Sequence, residues 1–344
     1  ALVAGKAIDW LGTRIGYLFS IIFWSFAAVM HATAGSVATL GVWRGLLGVS
    51  ESGNFPAAMK AVSEWFPKEE RSLATSLFNS GPAVAMITGA PIVVFLTYAL
   101  SWRMTFVIIG GIGFVLAALW PFIYRNPPVK MSDLEAASGD AKIRWRDLLK
   151  FRATWGILLG KMLTDPVWWF YLFWLPPYLN SQRGFDLKGI AIAGPIIYTI
   201  AIIMGNIGGW FPGFLIRRGW KAARARKTAI GLASICLPVT ALAVTAENVW
   251  VAVLLVSLAC GAHSIFSHNI FALITDQFPS NAVGSVTGMS TFAGSMAGVF
   301  ISSLAVGYIV TYFGYVPIFI LMGVLHPTAY IFVHFLIRKE SVLE

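Results

Sequence analysis

The sequence predicts an all-α membrane protein of two pseudo-symmetric helical bundles, on three observations: a shortage of charge, regularly spaced apolar runs, and motifs that recur half a chain apart. Of the 344 residues, 58% are hydrophobic and 12% charged. A soluble domain carries roughly 25% charged residues, so half that content places the chain in a bilayer. The 14 Trp and 25 Phe suit a lipid-facing surface with aromatic belts at its interfaces. The net charge of +10 does not point to nucleic acid, because the charges fall in short segments between apolar runs. Cys236 and Cys260 lie inside such runs and imply no disulfide framework. No secretory signal is expected ahead of the first domain. The opening "ALVAGKAIDWLG" lacks Met and reads as the tail of a hydrophobic segment, so the true N-terminus is expected upstream.

A helix needs about 20 apolar residues to cross the hydrocarbon core. Such runs occur at 15–32, 36–63, 72–99, 103–124, 153–179, 190–216, 228–246, 249–275, 282–311 and 315–337. They amount to ten complete transmembrane helices plus a stump at 1–4. Pro56, Pro82, Pro91 and Pro212 are expected to kink their helices rather than abolish them.

Lysine and arginine set the orientation. One set of alternate connections holds Lys6, Arg14, Lys60, Lys68, Arg71, the cluster from Arg125 to Arg152, the cluster from Arg217 to Lys227, and Arg338 with Lys339. It contains twenty of the 25 basic residues, against Arg103, Arg183 and Lys188 in the opposite set. The basic side is expected in the cytoplasm. The connection 125–152, with its Pro pair and polar centre, divides the chain into an incomplete N-terminal bundle (1–124) and a six-helix C-terminal bundle (153–344). Its Arg144–Leu149 part reads either as a short helix on the anionic inner leaflet or as a solvated connector.

An internal repeat relates the halves. "EWFP" at 64–67 and "DQFP" at 276–279 are offset by 212 residues, which also sets Thr75 on Thr287, Asn79 on Thr291 and Glu51 on His263. "GKAIDWLGTR" (5–14) and "GWFPGFLIRR" (209–218) share a second frame. Both copies fall on the basic side, so the repeat is parallel. Parallel halves of six helices describe the major facilitator fold, and on that reading helix 1 and most of helix 2 are expected to be absent from this stretch.

The residues then carry a resemblance. "GKAIDWLGTR" resembles the loop between helices 2 and 3 of major facilitator transporters. "RGLLGVSESGNFPAAMKAVSEWFPKEERSLATSLFNSG" resembles helices 4 and 5 of the anion:cation symporter branch. Within that branch, "GKMLTDPVWWFYLFWLPPYL" (160–179) is most similar to bacterial hexuronate transporters, which import glucuronate and galacturonate with protons. The resemblance covers the whole chain. It implies Arg44 as the substrate-binding arginine, Glu51 as the proton-carrying glutamate, and Asp9 and Arg14 as the cytoplasmic gate. The family also uses acidic and basic residues of helix 1, which this chain lacks.

The chemistry of these residues can be read independently. Seven residues along a helix nearly complete two turns and rise ~10.5 Å. Arg44 and Glu51 therefore share a face but stand too far apart for a direct pair. Either the face lines a wet cavity, where Arg44 holds an anion and Glu51 exchanges a proton, or each pairs with a neighbouring helix. A guanidinium suits a carboxylate by its planar fork and permanent charge, and a half-buried carboxyl suits proton exchange. Lys161, Asp165 and Trp168 share a stripe. Lys161 adds a second positive charge for a sugar acid and Trp168 stacks on its ring, or Lys161 and Asp165 neutralise each other within an aromatic belt.

Thr75 with Asn79, and Thr287 with Thr291, form equivalent polar stripes that bind sugar hydroxyls or join helices. From "HSIFSHNIF", His268 and Asn269 are chosen for substrate, with His263 open as a packed core residue. Gly284, Gly288, Gly294 and Gly298 favour close helix packing. His326 and His334 have no polar partner by spacing and read as structural. Asp9 is placed to cap a helix N-terminus, in a contact that would bias the two access states.

The sequence thus predicts a secondary active transporter importing sugar acids by proton symport with alternating access. Another organic anion (an aldonate, tartrate or aromatic acid) is the alternative substrate. A membrane enzyme or a channel is disfavoured, since no HExxH, paired-Asp or GxSxG motif appears and the two-fold repeat needs no ring of subunits. The expected partners are a small carboxylate sugar and the lipid bilayer, with no nucleic acid. No metal or cofactor is expected, protons serving as the coupling ion. The expected setting is the bacterial inner membrane, multi-pass and monomeric, with linker and C-terminus cytoplasmic.

Overall fold

The computed structural model describes residues 1–127 and 144–338, and the regular structure among them is helical throughout. In chain order the α-helices are α1 (Leu2–Leu11), α2 (Thr13–Met30), α3 (Val37–Glu51), α4 (Asn54–Trp65), α5 (Lys68–Ala99) and α6 (Trp102–Ile123). After the connection come α7 (Arg152–Arg183), α8 (Leu187–Arg217), α9 (Ala222–Cys236), α10 (Val249–Gln277), α11 (Ser280–Gly298), α12 (Val306–Phe313) and α13 (Val316–Leu336).

The ends of these helices follow from local chemistry. Ser36 and Thr39 form a reciprocal capping box that starts α3. Ser101, Asp186 and Asn248 each accept a backbone N–H at the start of α6, α8 and α10. α7 stops at Gly184, whose left-handed φ of 68° closes its last turn. Gly12, at φ 79°, separates α1 from α2.

Three expected spans are subdivided. The run 36–63 breaks at Ser52–Gly53, where Pro56 has no N–H to offer the Ser52 carbonyl. The run 282–311 holds α11, a π turn at Val299–Ala305 and α12. The run 228–246 ends in a 3-10 turn that begins at Pro238. The stump is longer than expected, since α1 reaches Leu11. Of the connection 125–152, residues 128–143 lie outside the described part, and the proposed helix at 144–149 is a short 3-10 turn over Asp147–Lys150.

Among the described residues, seven helices are long and apolar enough to cross a membrane, or eight counting α5, which bends by 44° between Gly89 and Pro91. α3 and α4 are each too short alone, and α7, with its Lys, Asp, Pro and Trp residues, is too polar for the same criterion.

The chain divides into two compact units. One comprises Ala1–Trp65, Thr88–Trp145 and Pro279–Met289; the other Phe66–Ile87, Arg146–Phe278 and Ser290–Glu344. In the first, α2 packs against α6, α3 and α4, with Gly110 of α6 seated on Ser25 and Val29. α3 buries none of its residues. In the second, α10 is the central helix, buried along most of its length against α8, α9 and α7. Phe170, Tyr171, Tyr178, Phe319 and Met322 form much of its apolar core.

Candidate functional site

α3 carries the two charges that stand apart. Arg44 and Glu51 are exposed, and among the described residues neither makes a hydrogen bond or ion pair. They are near enough for the guanidinium to act on the carboxylate electrostatically. Gly41, Gly45 and Gly48 lie on the same side of α3, and a Cβ at any of them would meet nothing within 4 Å. The face therefore combines two unsatisfied charges with a strip of bare backbone. A cavity of about 270 Å³ beside α1, α2 and α3 is lined by apolar residues such as Leu46 and Val49 and includes neither charge.

In the second unit most of the predicted site residues are partnered. Lys161 Nζ lies 2.6 Å from Asp165 Oδ1 one turn along α7. It also donates to Ser267 Oγ at 3.3 Å and sits 4.5 Å from the centre of the Phe271 ring. Trp168 stacks on His263 of α10, 5.6 Å between centroids, and meets Tyr198 of α8 edge-on. His263 Nδ1 stands 3.2 Å from His326 Nε2, so His326 does have a polar partner, one that helical spacing along its own segment could not reveal.

His268 is tied to the Gly205 carbonyl. Asn269 donates to Gly208 and Ile265 carbonyls and accepts from Ser72. Thr291 Oγ1 and Asn79 Nδ2 are buried and find no hydrogen-bond partner among the described residues, which leaves both open to a polar guest. Lys161, Trp168, His268 and Asn269 are thus gathered around α7, α8 and α10, while Arg44 and Glu51 belong to the other compact unit.

Asp9 and Arg14 do not meet. Asp9 accepts the backbone N–H groups of Gly284 (2.9 Å) and Ser285 (2.6 Å), one turn inside α11 rather than at its cap, near the end where the helix dipole favours negative charge. Lys60 Nζ approaches the same carboxylate at 3.6 Å. Burial pushes the Asp9 carboxyl up to about 6, against the opposing pull of Lys60 and of the Ser285 and Gly284 donors. The approach is close: Gly5 of α1 packs directly on the Gly284 backbone. Arg14 donates instead to the Pro121 carbonyl at the end of α6, 2.8 Å away.

Sequence reasoning missed two acidic centres in the repeated motif. Glu64 accepts from Thr13 (2.9 Å) and Tyr124 (2.8 Å), and the carboxylate helps hold the Tyr124 hydroxyl protonated, second to burial. Asp276 is ion-paired with both Arg71 (3.3 Å) and Arg226. Arg226 is completely buried and also reaches Ser72 and the Lys68 carbonyl. The signal was available: a carboxylate at the end of a long apolar run needs a cation, and "ARARK" stands at the start of α9, the α-helix just before.

A family model of the Major Facilitator Superfamily matches residues 1–302. The chain belongs to that superfamily, and is a multi-pass membrane transporter rather than an enzyme. It is 29% identical to the hexuronate transporter of Escherichia coli strain K12 over 357 residues, covering 99% of this chain and 82% of the relative. It is 35% identical over 225 residues to the galacturonate transporter of Dickeya chrysanthemi, covering 61% of this chain and 65% of that one. Among solved structures it superposes on the proton:xylose symporter XylE with a TM-score of 0.70 at 15% identity, over 99% of this chain and 84% of that one, a likeness of fold alone.

Proposed function

We propose that this chain is a secondary active transporter that imports hexuronates such as glucuronate and galacturonate by proton symport with alternating access. The observation that carries the reading is the open face of α3, which presents Arg44 and Glu51 without a hydrogen bond or ion pair among the described residues. An unpaired charge in a membrane is costly, so a helix that keeps two of them reserves them for something that arrives. Arg44 offers a planar fork to a carboxylate, and Glu51 takes up and releases the coupling proton. Lys161 supplies a second positive charge, Trp168 a flat surface for the sugar ring, and Asn79, His268, Asn269 and Thr291 polar groups for its hydroxyls. Asp9 and Arg14 act at the cytoplasmic gate. Similarity to the hexuronate transporter along nearly the whole chain supports the substrate class.

The proposed topology has ten spans and the stump, with the broken pair α3–α4 and the polar α7 each crossing once. The protein sits as a monomer in a bacterial inner membrane, linker and C-terminus in the cytoplasm, and uses no cofactor beyond the proton.

Uptake of labelled galacturonate into vesicles tests this. An inward pH gradient is expected to raise accumulation, by about tenfold per pH unit for one proton. Glu51→Gln is expected to abolish that accumulation while exchange of galacturonate across the membrane persists. Accumulation that is unchanged in the variant removes Glu51 from coupling. If an aldonate, tartrate or aromatic acid competes while galacturonate does not, the carrier takes another organic anion.

A further inference from the structure

The Lys161–Asp165 pair belongs to the group of residues proposed above to hold the sugar acid, yet it is already satisfied. An ammonium has three N–H groups. Lys161 aims one at Asp165 and one at Ser267, and lies over the Phe271 ring. Both side chains are largely out of solvent, Lys161 keeping 6% of its surface and Asp165 14%. A buried pair of this kind is no better for stability than a well-packed apolar pair, so stability alone does not explain it. Within this cluster Asp165 is the group with the same chemistry as the carboxylate of a sugar acid. A guest that binds Lys161 through its carboxylate takes up the contact that Asp165 holds.

Among the described residues no second cation is paired with Asp165 once it is displaced. From α11 it is faced by Gly294, where even a Cβ would run into the carboxylate, and the rest of that helix to Gly298 carries no titratable side chain. Around its partner Lys161 the titratable groups are His263 and His268 from α10 and His326 from α13, with Tyr198 of α8 against Trp168. The three histidines are close enough to feel the charge of Lys161 and are each buried. A buried carboxylate that has lost Lys161 is held most cheaply as the neutral acid.

We propose that Lys161–Asp165 is an anion-exchange site: the substrate carboxylate replaces Asp165 on Lys161, and Asp165 leaves the pair by taking a proton from water. One O–H bond forms at the carboxyl and the water gives up one proton; release of substrate reverses both. This deepens the reading of the chain as a sugar-acid carrier and rests on it. It adds a second proton to that carried by Glu51, so import of a monoanion moves one net positive charge inward.

The test is proton uptake on addition of galacturonate to the purified full chain in weak buffer, read with a pH indicator, alongside the pH dependence of galacturonate affinity. Asp165→Asn is expected to take up one proton fewer per galacturonate and to lose one factor of ten per pH unit from the affinity profile. Asp165→Glu, which keeps the carboxyl, is expected to restore both. Asp165→Asn that binds galacturonate with proton uptake equal to that of the unaltered chain overturns the proposal and leaves the carrier reading standing. If that variant does not fold, Glu51→Gln decides: one residual substrate-linked proton supports the proposal and none overturns it. An unaltered chain that shows no saturable galacturonate binding at any pH defeats the sugar-acid reading, and this proposal with it.

Discussion

α3 and α7 both bring charge into apolar surroundings, and they treat it in opposite ways. On α3, Arg44 and Glu51 are exposed and stand beside glycines with open space over them. On α7, Lys161 and Asp165 are in contact, and the glycine opposite them on α11 is filled by the carboxylate itself. Paired and buried charge is part of the packing, and removing one member strands the other. Exposed, unpartnered charge contributes little to folding and is free to meet a ligand. The same distinction sets Arg226 and Asp276, locked together at the core of the second unit, against Arg44.

The sharpest way to break the contrast is to remove one charge of each kind. Asp276→Ala leaves Arg226 buried without its counter-ion and is expected to destabilise by about 3–5 kcal/mol, seen as a lower melting temperature of the detergent-solubilised chain. Arg44→Ala is expected to leave the melting temperature in place while weakening galacturonate binding on the order of 100-fold. Equal losses of stability in the two variants would erase the distinction.

Asp9 sharpens the buried side further. Its carboxyl is held near 6 in the folded chain, above its ordinary value of 3.8. The folded state therefore keeps a proton that the unfolded chain releases earlier. That contribution is full below pH 4 and disappears as the pH rises through 6, an effect of up to about 3 kcal/mol. The stability difference between the unaltered chain and Asp9→Asn is expected to shift across this window in that direction. A constant difference from pH 4 to 7 would show that Asp9 ionises as it does in the unfolded chain.

The smallest effects are expected from two glycines. Gly294→Ala drives a methyl into Asp165 and is expected to cost about 1–3 kcal/mol. Gly45→Ala, with nothing near it, is expected to be neutral or to stabilise this chain by up to about 1 kcal/mol through helix propensity. A thermal shift compares the two directly.

Much of this organisation was legible in the sequence. Apolar length located the helices, because the hydrocarbon core sets how long a span must be. Arg44 and Glu51 stood out because a charge in such a run needs a reason. Lys161 and Asp165 were placed on one stripe by helical spacing alone. What was not legible involves partners distant in the chain. Arg226 counts in the sequence as one more basic loop residue, and only packing shows it buried against Asp276. His326 appears partnerless along its own helix and meets His263 from α10. The kink that divides 36–63 was visible as Pro56, but not that it would end one helix and begin another.

The sequence by itself determined the class of the molecule, its helical character and which charges fall within its apolar runs, since these depend on local composition and on the period of one helix. The tertiary structure decided which of those charges are held by a partner and which stand open. That outcome depends on distances between segments far apart in the chain, and an ion pair forms or fails within a few ångströms that no local pattern specifies.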